Sequence, residues 1–110
     1  MSGSGLGLVD SCTVTLVGRY YYPDSWNLRM VRGTRVKLVR NPKNKVDPSA
    51  VEVYVNSTMV GHVARVHAGS LSSRMDNMPS DIHMTAELGG VCGDPGRMHP
   101  DMDVIVSLWG

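Results

Sequence analysis

The strongest structural signal in this 110-residue chain is an alternation of apolar and polar side chains in residues 51–55. Valine occupies every second position there, with a glutamate and a tyrosine between the valines. Because successive side chains of a strand point to opposite faces, this spacing is typical of a strand with one buried face. The run Asn56-Ser57-Thr58 favours a tight turn, and residues 59–63 return as a second strand. The pattern predicts an antiparallel hairpin.

Runs of β-branched and apolar residues predict further strands on both sides of this hairpin. With the hairpin, the predicted strands cover residues 13–22, 34–40, 50–55, 59–63, 83–88 and 104–109. Residues 65–78 instead carry an apolar stripe at spacings of three and four, which is typical of an amphipathic helix. Short strands joined by hairpins favour antiparallel pairing. The predicted fold is therefore mainly β: a small antiparallel OB-like or SH3-like barrel of about six strands with one amphipathic helix.

The length allows a single domain with a small core and excludes a kinase or a helicase motor. We expect residues 13–110 to form that domain and residues 1–12, which begin Met-Ser-Gly-Ser-Gly, to be a flexible tail. Apolar residues make up 42% of the chain and charged residues 19%, an ordinary globular balance. No apolar run approaches the roughly 18 residues of a membrane span. The start of the chain also lacks the pattern of a signal peptide.

The charges are unevenly distributed although the net charge is only +1. Eight of the eleven basic residues lie between Arg19 and Lys45, where Asp24 is the single acid. A basic segment of this kind indicates an anionic partner such as nucleic acid. The alternative is a set of solvated strand edges, on which Lys and Arg discourage aggregation.

The sequence has none of the spacings that mark a catalytic or metal site. It contains no nucleophile elbow, no phosphate-binding glycine loop and no His-Glu-x-x-His motif. Cys12 and Cys92 form no Cys-x-x-Cys pair, so a zinc site would need scattered histidines to converge on them by chance. We therefore expect that the domain itself is not an enzyme and holds no metal and no cofactor.

Two sequence blocks carry a family resemblance. The first, residues 36–53, contains Arg-x-Pro-x-Asn-x-x-Asp-x-x-Ala-Val, and the second begins Val60-Gly61-His62 and leads into the predicted helix. Upstream lies Gly18-Arg19-Tyr20-Tyr21, and the chain closes with Leu108-Trp109-Gly110. In this order the blocks resemble the HIRAN domain, which occurs at the N-terminus of helicase-like transcription factor and of related Swi/Snf-type fork-remodelling proteins.

The resemblance implies an OB-like barrel that binds single-stranded DNA and captures its free 3′-hydroxyl end. Such a module is not catalytic. It targets a DNA repair or replication-fork remodelling protein, whose attached motor would be an ATP-dependent DNA translocase. Eight methionines and the basic segment fit an intracellular protein, which would be nuclear in a eukaryote. We expect a monomer that contacts protein partners or an attached motor domain.

The resemblance assigns roles to six residues, each of which also has an ordinary structural use. Arg19 and Arg65 would bind phosphate, for which the guanidinium is well suited, or be surface charges. Tyr20 would stack on a base or be an edge-strand tyrosine. Asp47 would accept a hydrogen bond from the 3′-hydroxyl and repel a 3′-phosphate, or cap a turn before a proline. The remaining two are Asn44, a backbone or base contact or a turn residue, and His62, a phosphate or sugar contact or a packed histidine.

A second set of residues has the mixture of aromatic and basic side chains that single-strand binders use. These possible additional DNA contacts are Tyr21, Trp26, Arg32, Lys45 and Val46. Trp26 would otherwise be a hydrophobic plug at one end of the barrel.

The sequence departs from the family pattern at two places. Val46 stands where many members carry a tyrosine before the aspartate, and the chain has no Phe to supply the aromatic residue expected near residues 98–101. A valine covers a base edge but offers no π face. The alternative function is therefore a protein–protein interaction module on a HIRAN-like barrel that has lost DNA end capture.

Overall fold

The computed structural model describes residues 7–92, 94, 96 and 98–110. Within them lie six strands, one α-helix and two short 3₁₀ helices, Arg19–Tyr21 and Pro23–Ser25. The strands and the helix are β1 (Leu8–Val17), β2 (Arg35–Arg40), β3 (Val51–Val55), β4 (Thr58–Val63), α1 (Arg65–Asp76), β5 (His83–Val91) and β6 (Met102–Trp109).

The six strands form a closed antiparallel barrel in the order β1-β4-β3-β2-β5-β6, with β6 paired back to β1. This confirms the mainly β class with one helix. The β1–β6 and β5–β6 pairs run along most of their strands, whereas β1 and β4 pair only at Leu16↔Val63 and Val17↔His62. The hairpin of β3 and β4 is present as predicted, and Asn56 takes a positive φ of 55° in its turn.

Alternate residues of each strand fill the barrel. Leu16, Leu88 and Val104 are fully buried. None of the three valines of β3 exposes more than 6% of its surface. Helix α1 adds Ala68 and Leu71 to this interior, which confirms two positions of the predicted apolar stripe. The outward residues of the same strands remain available for other contacts.

The first strand is displaced from its predicted place at residues 13–22. It begins at Leu8, because the residues before Thr13 pair with β6, for example Cys12 with Val106. It ends at Val17, because Gly18 turns the chain with a φ of +83°. The tail predicted for residues 1–12 is therefore wrong for residues 8–12, and residues 1–6 lie outside the described part of the chain.

Smaller differences occur in the second half. Helix α1 ends at Asp76 and not at residue 78, since the Asn77 side chain donates to the Ser73 carbonyl at 2.8 Å and caps it. Strand β5 continues to Val91, into the segment predicted as loop. Gly89 allows this, because a Cβ there would lie 2.9 Å from the Asp103 Cβ of β6. No helix among the described residues is long and apolar enough to cross a membrane.

Candidate nucleic-acid interface

Residues 18–26, which we call the aromatic corner, leave β1 and fold against β4. Gly18 begins the corner, because its left-handed conformation is one that a side chain disfavours. Pro23 then starts the second 3₁₀ helix, where its fixed φ suits a first helical position. The Ser25 hydroxyl donates to the Tyr22 carbonyl at 2.7 Å and holds the two turns together. The predicted strand at residues 20–22 is therefore a compact turn.

Arg19 is buried in this corner, with only 9% of its surface exposed. Its Nη2 donates to the Ser25 carbonyl at 3.3 Å, and its Nε has no partner within the described part of the chain. Burial lowers the pKa of this guanidinium. None of the ion pairs among the described residues involves Arg19. A buried cation without a counter-ion is unfavourable, so the site would gain from an anion such as a phosphate oxygen.

Three aromatic side chains of the corner lie next to one another. Tyr20 and Tyr21 are 66% and 78% exposed, and their rings meet edge to face at 5.6 Å. Trp26 donates from Nε1 to the Arg19 carbonyl at 3.0 Å, which fixes its ring beside that of Tyr20. Exposed tyrosine rings beside an indole that the backbone holds are suited to stacking on bases.

The loop before β6 closes onto the corner through His99. Its ring stacks on Trp26 with 4.5 Å between centroids and an interplanar angle of 14°. The His99 Nε2 is buried and has no partner among the described residues. The sequence predicts the loss of an aromatic contact at residues 98–101, because the chain has no phenylalanine. The imidazole supplies a flat ring in that place.

A contact between Tyr22 and His62 joins the aromatic corner to strand β4. The Tyr22 hydroxyl is 3.1 Å from the His62 Nδ1, and His62 lies opposite Glu52 of β3. Burial, and then the charge of Glu52, raise the pKa of the Tyr22 hydroxyl. No spacing in the sequence pairs Tyr22 with a histidine forty residues later, so this contact could not be predicted.

The loop 41–50 forms the other side of the site and is held by its own side chains. The Asn44 Oδ1 accepts hydrogen bonds from the backbone N–H groups of Val46 and Asp47, at 2.9 and 3.0 Å. The Asp47 Oδ1 accepts the Ser49 N–H at 2.9 Å. Both turn roles considered for these residues are therefore present. They leave the second oxygen of Asp47 outside the turn.

That second oxygen faces the start of α1. The Asp47 Oδ2 is 4.0 Å from the Arg65 Nε, a distance beyond a direct hydrogen bond. The side chain of Asp47 is 27% exposed and that of Arg65 is 75% exposed. The Arg65 guanidinium is thus loosely paired and accessible. A carboxylate and an exposed guanidinium side by side offer an acceptor for a hydroxyl and a donor for a phosphate.

The structure places the six predicted residues in the aromatic corner, around the loop 41–50 and on β4. Arg19 and Tyr20 lie in the aromatic corner; Asn44, Asp47 and Arg65 lie around the loop 41–50; and His62 lies on β4. Of the additional residues, Tyr21 and Trp26 belong to the corner, while Lys45 and Val46 are exposed on the loop, Val46 to 80%. Arg32 is elsewhere, with its Nη2 beside Gly90 of β5, three strands from β4 in the barrel order.

These features define a class: a small closed antiparallel barrel of OB-like type, with arginines, exposed tyrosines and a histidine on one part of its outer wall. The HIRAN domain family profile matches residues 9–107, and the chain belongs to that family. No curated protein sequence matches the chain significantly.

Three solved structures are similar to this chain. The crystal structure of the HIRAN domain of human HLTF has a TM-score of 0.71 and 29% identity, covering 96% of this chain and 80% of that one. An NMR structure of the same human domain in its DNA-bound conformation has a TM-score of 0.62 and 29% identity, covering 96% and 79%. A protein from Lactobacillus plantarum has a TM-score of 0.67 and covers 94% and 95%, but at 24% identity it shows the fold alone.

Proposed function

We propose that this chain is a non-catalytic module that binds single-stranded DNA and recognises its free 3′-hydroxyl end. The observation that carries the proposal is Arg19, a buried cation with no counter-ion among the described residues, in the same corner as the exposed rings of Tyr20 and Tyr21. The DNA-bound conformation of the similar human domain supports DNA as the anion. In a longer protein the module would direct a DNA repair or fork-remodelling motor to its substrate, in the nucleus if the organism is eukaryotic. It would act as a monomer.

In this proposal the aromatic corner binds the strand and the loop 41–50 recognises its end. Bases stack on Tyr20 and Tyr21, while Arg19 binds a phosphate. The Asp47 Oδ2 accepts a hydrogen bond from the 3′-hydroxyl, and the carboxylate repels a 3′-phosphate. Arg65 turns from Asp47 toward the last internucleotide phosphate.

The test compares two fluorescent oligonucleotides that differ only in ending with a 3′-hydroxyl or a 3′-phosphate. We expect at least about tenfold tighter binding of the 3′-hydroxyl strand, which corresponds to one hydrogen bond to a charged group. Asp47→Asn should erase that preference. It is a sharp variant, because an Asn Oδ1 still accepts the Ser49 N–H and keeps the turn.

When the titration is run at two salt concentrations, each outcome leads to a different conclusion. Equal, salt-sensitive binding of both strands would overturn end recognition and leave a general single-strand binder. Binding of neither strand at low salt would overturn the DNA proposal as a whole.

One observation favours a second function, protein–protein interaction. Val46, Val66 and Met98 are 80–86% exposed. Exposed apolar side chains near a binding surface are used in protein contacts as well as in base contacts. A failure to bind DNA at low salt would select this reading.

A further inference from the structure

The outer face of β3 and β2 continues the candidate interface away from β4. His62 lies opposite Glu52 of β3. Tyr54 lies two residues after Glu52 and on the same face of that strand. Tyr54 in turn lies opposite Lys37 of β2. Neighbouring strands are about 4.8 Å apart, so these side chains form one continuous surface, beginning at a residue of the site.

Two cations mark the far side of this surface. Lys37 and Arg35 are exposed, and they share a face of β2 because they are two positions apart, about 7 Å. Neither takes part in the ion pairs found among the described residues. Glu87 lies opposite Arg35 on β5, but no ion pair joins them. Two charges without ion-pair partners in the described ranges, beside an aromatic ring, match the arrangement with which single-strand binders hold a backbone.

The one acid on this path, Glu52, is already occupied. Its Oε1 accepts a hydrogen bond from the Tyr54 hydroxyl at 2.9 Å, and its Oε2 accepts one from the Asn41 Nδ2 at 2.9 Å. Both donors disperse its negative charge, and the first fixes the Tyr54 ring on the surface. The carboxylate therefore helps to position a stacking platform.

We propose that the outer face of β2 and β3 is a second contact segment for single-stranded nucleic acid, in which Tyr54 stacks on a base and Lys37 and Arg35 bind phosphates. This inference extends the proposed function and rests on it. The segment would hold nucleotides that lie 5′ of the captured end. It makes binding depend on the length of the strand, which end capture alone does not.

The experiment measures that length dependence with strands of about four and about twelve nucleotides, each ending in a 3′-hydroxyl. We expect the longer strand to bind the native domain at least tenfold more tightly. The double variant Arg35→Gln/Lys37→Gln should lose most of this gain and keep its affinity for the short strand. Its salt dependence on the long strand should fall by a slope of about 1.4, for two phosphates fewer.

A matched control removes the same net charge elsewhere. Ser70→Glu/Ser73→Glu adds two acids on α1, at the groove it forms with Val9 and Leu108 on the β1 and β6 side. This variant should keep the gain from length. Tyr54→Phe should also keep most of it, whereas Tyr54→Leu should lose about tenfold on the long strand only.

The outcomes separate this proposal from the proposed function. If the double variant and the charge control lose affinity equally, or if length gives no gain, the second segment is wrong while the 3′-end preference still stands. If the long strand binds without regard to its 3′ group but is weakened by the double variant alone, the segment stands and end capture is wrong. Binding of neither strand overturns both.

Discussion

At the scale of one residue, Arg19 is a buried side chain whose hydrogen bonds are incomplete. Among the residues that the structure describes, its buried guanidinium makes one hydrogen bond and its Nε has no partner. Polar groups in protein interiors are normally fully bonded, and exceptions often mark a functional position. The sequence indicated Arg19 only through its neighbours in the resemblance. Its burial is a property of the fold.

Replacing Arg19 with Met should separate binding from stability. The change removes a poorly paired buried charge along with one hydrogen bond, so we expect the free energy of unfolding to change by less than about 1 kcal/mol. The affinity for single-stranded DNA should fall about tenfold or more, because a charge-assisted phosphate contact is lost. Urea unfolding and fluorescence anisotropy measure the two effects. Arg74→Met, which breaks an exposed pair with Asp10, should leave DNA affinity unchanged.

Tyr22 should make stability depend on pH in the alkaline range. Burial and the nearby Glu52 raise its pKa above the ordinary 10.0, so in the unfolded chain the hydroxyl ionises first. Ionisation therefore stabilises the unfolded state as the pH rises past 10. The contribution of the Tyr22 hydroxyl to the free energy of unfolding is complete below pH 10 and is lost above it. Tyr22→Phe should cost about 1 kcal/mol at pH 8 and less at pH 10.5. Urea unfolding at the two pH values tests this, and an equal cost at both would contradict it.

At the scale of elements, Arg40 joins three segments that come from different parts of the chain. Its Nε and Nη2 donate to both carboxylate oxygens of Asp76 at the end of α1, at 3.0 and 3.1 Å. Its Nη1 donates to the carbonyls of Pro48 and Ala50 in the loop 41–50. One side chain at the end of β2 thus fixes the loop that carries Asp47.

Two variants should separate the contribution of the Arg40 ion pair from that of its hydrogen bonds to the loop 41–50. Asp76→Asn weakens only the exposed ion pair, so we expect a cost below about 1 kcal/mol. Arg40→Met also leaves the Pro48 and Ala50 carbonyls without this donor, for which we expect about 1–3 kcal/mol. Thermal unfolding measures the difference. Hydrogen exchange in residues 41–50 should quicken more in Arg40→Met than in Asp76→Asn, and equal exchange would contradict the role given to Arg40.

At the scale of the whole molecule, the barrel closes through a narrow seam. Strands β1 and β4 pair at only two positions, and Gly61 lies beside them with a φ of +154°. A Cβ at residue 61 would collide with the Val17 carbonyl oxygen and come within 2.8 Å of the Leu16 Cδ1. The glycine of the Val-Gly-His motif therefore permits closure, in addition to any part that His62 has in binding.

Alanine substitutions at two glycines test this role. Gly61→Ala should destabilise the domain by about 2 kcal/mol or more, because the collision is with backbone and the conformation is unfavourable for a side chain. Gly69→Ala should stabilise it by up to about 1 kcal/mol, since a Cβ there meets nothing within 4 Å and alanine favours helix α1. Urea unfolding of both variants measures the contrast. A similar small effect at both positions would show that the seam tolerates a Cβ.

The order of residues along the chain was enough to predict the class and most of its elements. Alternation of valines in residues 51–55 and the stripe of residues 65–78 are local patterns, and hydrophobic burial acts on them directly. The segment 20–22 was predicted wrongly as strand, because the aromatic preference for strands was outweighed by the turn at Gly18 and by packing on β4. The start of β1 was missed because its residues are stabilised by pairing with β6, ninety residues later.

The sequence predicted less of the candidate site than of the fold. Motif residues identified Arg19, Asp47 and His62, but their surroundings come from contacts between distant segments. The hydrogen bond from Tyr22 to His62 and the stacking of His99 on Trp26 each join residues at least forty positions apart. Side-chain types are a local property and set which chemistry is available. Burial, pairing and orientation are created only when the barrel closes, since closure brings these segments within a few ångströms of one another.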